Sequence, residues 1–249
     1  MMPFEAQTNC ACEDRPSPNF GERKDGRKAD MLLLHYTGME DDAQALDWLC
    51  NPESAVSAHY YLHRDGTIIQ MVDETKRAWH AGEAYWKGET DINSCSIGIE
   101  IANAGHEDFA EKQLDVLHML CMDIIARNEI PNFRVLGHSD VSPGRKIDPG
   151  VKFPWKQLAA AGVGHWADPE ITGGGRFFQM GDEGQPIQAL QSMLAIYGYN
   201  VPITGVFDEQ TEMVVRSFQM HFRPERVDGV ADTTTISMLY KLNAALPKL

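Results

Sequence analysis

Apolar residues in the first two thirds of this chain gather in short runs, and in the last third they recur at helical spacing. Met31-Leu32-Leu33-Leu34-His35-Tyr36 is a short, almost wholly apolar run, which predicts a buried strand with His35 at its end. The segments 57–62 and 67–72 flank Arg64-Asp65-Gly66, and Asp-Gly between two such runs predicts a hairpin. Residues 96–101 alternate as a strand does, and 134–138 predict a last strand that ends on His138. Between them, 41–49 fit a short helix and 154–161 another. The clearest helix is 109–128, where Leu114, Leu117, Cys121 and Ile124 form one apolar stripe. Strands covered by helices make residues 31–166 an α/β domain, with a mixed central sheet flanked by helices.

The texture then changes. Residues 167–180 carry Pro169 and three consecutive glycines, the composition of a linker. Beyond it, 187–197, 208–222 and 233–242 predict three helices, so 181–249 is expected to be a small, separate helical module. Two of its segments match at a constant offset of 24: Gly205-Val206-Phe207-Asp208 through Thr211, and Gly229-Val230-Ala231-Asp232 through Thr235. In each a glycine turn precedes an aspartate able to cap the next helix. Residues 1–30 are polar and broken by Pro3, Pro16 and Pro18, which predicts a flexible arm.

Composition narrows the function classes. Lys+Arg 22 against Asp+Glu 36 leaves a formal charge of −14, which disfavours nucleic acid and anionic membrane surfaces as partners. No segment approaches the roughly 20 apolar residues of a membrane span, so no membrane insertion is expected. The first 30 residues lack the apolar core of a signal peptide. Five cysteines at irregular spacing fit neither a disulfide framework nor a paired-cysteine zinc site; Cys50, Cys95 and Cys121 lie among apolar neighbours, as small core thiols do. Free thiols and the missing signal point to the cytoplasm, with a periplasmic or wall-associated site as the alternative.

Nine histidines remain to be sorted. His35 and His138 each end an apolar run, where a strand gives way to a loop. Together with Asp148 they offer two imidazole nitrogens and a carboxylate, a sufficient protein ligand set for a catalytic zinc. Ligands 103 residues apart carry no helical warrant, so the residues alone leave this site as one candidate. His118 falls on the stripe of its helix and reads as a core histidine. His106, His165 and His221 have no partner pattern and read as surface or packing residues, and His59, His63 and His80 stay open.

A resemblance adds to this. Leu34-His35-Tyr36-Thr37, Ser57-Ala58-His59-Tyr60, Ala78-Trp79-His80-Ala81-Gly82, Ser96-Ile97-Gly98-Ile99-Glu100 and Gly137-His138-Ser139-Asp140 through Lys146-Ile147-Asp148-Pro149-Gly150 resemble, in order, the type 2 N-acetylmuramoyl-L-alanine amidases, a zinc family that shares its fold with peptidoglycan-recognition proteins. The resemblance implies one Zn2+ per chain on His35, His138 and Asp148, with Glu100 as acid/base and Lys146 as electrophilic helper. Trp79, His80 and Asn103 match positions near the family's substrate cleft. It implies hydrolysis of the amide between N-acetylmuramic acid and L-alanine, in muropeptides or the peptidoglycan sacculus. The module at 181–249 resembles the peptidoglycan-binding domain 1 family through Ile187-Gln188-Ala189-Leu190-Gln191, Gly205-Val206-Phe207-Asp208, Ser217-Phe218-Gln219 and Asp228-Gly229-Val230-Ala231-Asp232. It departs from that pattern at Asp208, where glycine is common, and at Ala231, where an aromatic or glycine is usual. Two rivals stay open: a protein that binds peptidoglycan without cleaving it, and a zinc peptidase acting within the stem peptide.

Overall fold

A computed structural model describes residues 6–169, 175 and 177–247. Its strands are β1 (Cys12–Asp14), β2 (Phe20–Glu22), β3 (Met31–Tyr36), β4 (Tyr60–Leu62), β5 (Ile68–Gln70), β6 (Lys76–Ala78), β7 (Ser96–Ile101) and β8 (Val135–Gly137). Its helices are α1 (Asp42–Leu49), α2 (Ile92–Cys95), α3 (Glu111–Asn128), α4 (His138–Val141), α5 (Trp155–Ala160), α6 (Gln185–Tyr197), α7 (Glu209–Phe222) and α8 (Thr233–Ala244).

Six strands form one mixed sheet in the order β1-β5-β4-β7-β3-β8, and β2 and β6 make a separate antiparallel ribbon. The four strands β4, β7, β3 and β8 run parallel, so their carboxyl ends gather at one side of the sheet, the usual place for a site in such folds. Both faces of β3 are covered, which is why it is apolar throughout. Leu32 and Leu34 pack with α3 and α5, while Met31 and Leu33 face the opposite way into a second core. His35 continues the Leu33 side, in register with Glu100 on β7. The two side chains therefore leave neighbouring strands on the same face.

Three expectations change. Residues 12–14, placed in a flexible arm, instead add a parallel edge strand to β5, and Phe20–Glu22 pairs with Lys76–Ala78. Side chains lock this segment down: Asn19 Nδ2 donates to the carbonyls of Asn51 and Val56, and the buried Arg23 donates to those of Glu74 and Ser96. Local composition could not show this, because every partner is remote in sequence. His118 is half-buried, with Nε2 donating to the Ala161 carbonyl at 2.9 Å, since the stripe it follows turns away from the sheet there.

The helical module is also not separate. Its buried residues, from Ile187 on α6 to Leu242 on α8, form one continuous core with Leu33, Trp86, Leu136 and Val141 of the α/β domain. Inside the module the repeat has a shared physical basis. Asp208 and Asp232 cap α7 and α8, and Gln191 and Gln219 accept from the Gly205 and Gly229 amides. Of the proposed linker, residues 170–174 and 176 lie outside the described residues, while Phe178 already pairs with Ala231.

Candidate metal and amidase site

The strand ends bring together three donors from distant parts of the sequence. His35 Nδ1 lies 3.0 Å from His138 Nδ1 and 2.9 Å from Asp148 Oδ2, and His138 Nδ1 lies 3.1 Å from the same oxygen. Ligands about 2.0–2.2 Å from a tetrahedral zinc stand about 3.3 Å apart, so this triangle fits such an ion with a fourth position open. His35, His138 and Asp148 are the group of donors among the described residues with metal-site spacing.

Hydrogen bonds fix which nitrogen of each ring is bare. His138 Nε2 sits 2.9 Å from the Ala81 carbonyl, which can only accept, so Nε2 carries the proton and Nδ1 keeps its lone pair. For His35 the assignment starts further away. Ser96 Oγ donates to the Ile92 carbonyl at 2.6 Å and then accepts from His80 Nε2 at 3.2 Å. His80 Nδ1 is thereby left to accept from His35 Nε2 at 3.0 Å, which leaves His35 Nδ1 bare as well.

Electrostatics agree. Burial, helped by the charge of His138, lowers the His35 imidazole to about 4, and burial with its histidine neighbours holds His80 well below its usual value. Burial alone would raise the Asp148 carboxyl, yet the His138 and His35 rings beside it hold it well below the carboxylate range. Neutral imidazoles and an ionised carboxylate are the forms that bind a metal.

Beside the triangle opens a cleft of roughly 440 Å³ lined by Trp48, Val56, Trp79, Glu100, Lys146 and Ile147 as well as the three donors. Glu100 is half-buried, and its Oε2 has no protein partner. Burial, then the Asp148 charge, raise its carboxyl well above normal against the opposing pull of Lys146. A carboxyl raised in this way titrates nearer neutrality, as an acid/base group requires.

Comparison with known proteins now bears directly on this geometry. Residues 25–151 match the family described as N-acetylmuramoyl-L-alanine amidase, and residues 183–239 match a peptidoglycan binding domain. The chain is 38% identical to N-acetylmuramoyl-L-alanine amidase AmiD of Escherichia coli over 82% of its own length and 79% of that protein. The chain belongs to the N-acetylmuramoyl-L-alanine amidases. A solved structure of E. coli AmiD with the substrate anhydro-N-acetylmuramic acid-L-Ala-D-gamma-Glu-L-Lys superposes with a TM-score of 0.75 at 34% identity, covering 92% of this chain and 91% of that one. AmpDh3 of Pseudomonas aeruginosa, in complex with anhydromuramic pentapeptide, gives 0.74 at 31% identity, covering 94% and 96%.

Within this amidase, Glu100, Lys146, Trp79 and His80 line the cleft with the three donors, and Asn103 lies outside its lining. His80 is buried behind His35, with both ring nitrogens already engaged by His35 and Ser96. Asn103 is 2% exposed; its Oδ1 accepts from the Gly105 amide and its Nδ2 points to the Glu107 carbonyl, so it builds a turn. Sequence reasoning missed the apolar lip of the cleft. Trp48 on α1 is 50% exposed and Ile147 is 61% exposed, at positions where the sequence carries only an isolated aromatic and an isolated aliphatic. No helix among the described residues is long and apolar enough to cross a membrane.

Proposed function

We propose that this amidase works with one zinc ion, held by His35, His138 and Asp148, and that soluble muropeptides and peptidoglycan fragments are its substrates. The observation that carries the reading is the convergence of three metal-competent donors beside an unpartnered Glu100 oxygen in one cleft. When bound, zinc supplies a Lewis acid for the amide carbonyl and brings water's pKa toward neutrality. Glu100 takes a proton from the attacking water as its oxygen bonds to the lactyl carbonyl carbon. Glu100 then passes that proton to the L-alanine nitrogen as the C–N bond breaks, leaving a carboxylic acid and a free amine. The Lys146 ammonium, on the wall of the same cleft, stabilises the negative charge that develops on the carbonyl oxygen. Trp79, with Trp48 at the lip, offers apolar faces against which a sugar ring can lie.

Hydrolysis is favoured over binding alone because the donor set is complete and the acid/base carboxylate is in place. The experiment is mass spectrometry of muropeptides with ordinary and anhydro ends, incubated with zinc-loaded protein, after chelation and after zinc is restored. Free stem peptide beginning at L-alanine is expected, lost on chelation and regained with zinc. Cleavage within the stem peptide would convert the enzyme to a peptidase, and intact substrate with one zinc bound would make it a binding protein.

A further inference from the structure

The turn that carries His138 is held from the side by the helical module. Asp140, two residues after that ligand, is 0% exposed and accepts three hydrogen bonds. One comes from its own strand end: the Gly137 amide, 2.8 Å from Oδ2. The other two cross from the module: the Tyr199 hydroxyl at 2.7 Å from Oδ1, and His221 Nδ1 at 2.7 Å from Oδ2. A fourth link passes through the backbone. Ser139 gives its N–H to the Asp148 carbonyl at 2.9 Å, and its own carbonyl accepts from Ser217 Oγ on α7. A single residue, Ser139, thus joins the segments of two candidate metal ligands to a helix 78 residues away.

His221 is itself fixed. It is 2% exposed, its ring stacks on Trp155 of the α/β domain at 3.7 Å, and its Nε2 has no partner. Burying a carboxylate and an imidazole with unused hydrogen-bonding capacity costs free energy that apolar residues of the same shape would not. A seam that needed only to adhere would do so through Trp86, Tyr197, Phe218 and Phe222 alone.

We infer that the helical module is a working part of the metal centre: Tyr199, Ser217 and His221 act as positioning residues that hold the Gly137–Val141 turn, and through it His138 and Asp148, in the geometry that binds metal. They touch neither metal nor substrate, and the inference rests on the zinc-amidase reading. It assigns the module a role beyond contact with the wall.

The test uses the full-length holoenzyme. Zinc affinity is measured by competition with a chromogenic chelator, the cobalt-substituted protein is examined by visible absorption, and kcat and KM are determined on a soluble muropeptide. Failure of the wild type to bind zinc or cleave the amide would sink the zinc-amidase reading itself; the variants address the positioning role alone. Tyr199→Phe removes one O–H, and His221→Leu removes the donor while keeping bulk. Each is expected to weaken zinc about 10-fold or more, the range for residues supporting metal ligands. The cobalt bands should shift and kcat should fall, with KM nearly unchanged. His221→Asn, which can present an N–H close to the place of Nδ1, should recover most of that loss. Tyr197→Phe is the control: its hydroxyl pairs with His165 at 3.0 Å in the same seam and not with Asp140, and it should leave zinc affinity as in the wild type. Unchanged zinc affinity and cobalt spectrum in Tyr199→Phe, which loses a single oxygen, would overturn the positioning role even if His221→Leu failed to fold. Equal losses in Tyr197→Phe would also overturn it, in favour of a merely structural seam.

Discussion

Gly98 lies on β7, and no metal donor sits on that strand, yet its replacement by alanine should damage the metal site. A methyl group there would sit 2.6 Å from His80 Nδ1 and 2.7 Å from the neighbouring ring carbons, closer than real contacts allow. His80 cannot swing aside cheaply. Its Nε2 is tied to Ser96, its Nδ1 receives His35 Nε2–H, and the His59 ring closes another side at 5.7 Å. Two effects of opposite sign compete. Gly98 has ordinary strand backbone, so alanine would stabilise by about 0.4–1 kcal/mol through the unfolded chain. Overpacking a filled core costs about 1–3 kcal/mol, so the net is a loss of roughly 0–2.5 kcal/mol, at most a fall of several degrees in Tm. The larger effect is on the metal, because a displaced His80 releases the His35 tautomer, and outer hydrogen-bond partners are worth about 10–100-fold in affinity. Zinc competition titrations on wild type and Gly98→Ala, with thermal melts of both apo proteins, separate the two terms. Zinc affinity within about 3-fold of wild type, with the melt unchanged, would refute the argument that His80 sets His35.

Two further outcomes follow from the same geometry. Glu100→Gln keeps the shape but cannot carry the proton, so one zinc per chain should persist while kcat falls about 10²–10⁴-fold; a normal rate would remove Glu100 from the chemistry. Burial would raise the Glu74 carboxyl, but Arg127, at 2.7 and 2.8 Å from its two oxygens, with the Tyr60 hydroxyl and Asn128, lowers it instead. With the folded value depressed, Glu74 contributes stability above its unfolded pKa near 4.3, and that contribution is lost as pH falls toward the folded value. Because Arg127 keeps Asp123 and is partly exposed, Glu74→Gln should cost about 1–3 kcal/mol at pH 7, narrowing as pH falls below 4, and urea melts across pH check this.

What the sequence revealed follows from where the information lies. β3 was legible as a nearly unbroken apolar run, β7 because Ile97, Ile99 and Ile101 alternate with other residues, and α3 because its buried stripe repeats at helical spacing. β1, β2 and β6 were not: each has three residues and no alternation, and each exists through a partner elsewhere in the chain. The candidate donors His35 and His138 were legible as residue types at strand ends, and Asp148 as part of a family pattern, whereas the hydrogen bonding of His80 depends on which carbonyl Ser96 faces. His221 read as a packing residue because its partner Asp140 is 81 positions away.

The seam between sheet and module has a consequence for how such proteins can be recombined. A methyl group on Gly198 would lie 2.4 Å from the Trp86 ring, and one on Gly144 would lie 2.3 Å from Met213 Sδ, so each side is moulded to the other to within an atom's width. A chimera that grafts a foreign helical module after residue 166 would meet unfilled hollows and collisions there, and would inherit no hydroxyl or imidazole for Asp140. In this branch the two units are expected to diversify as a matched pair, with Trp86, Gly144, Gly198 and Met213 exchanged together or not at all.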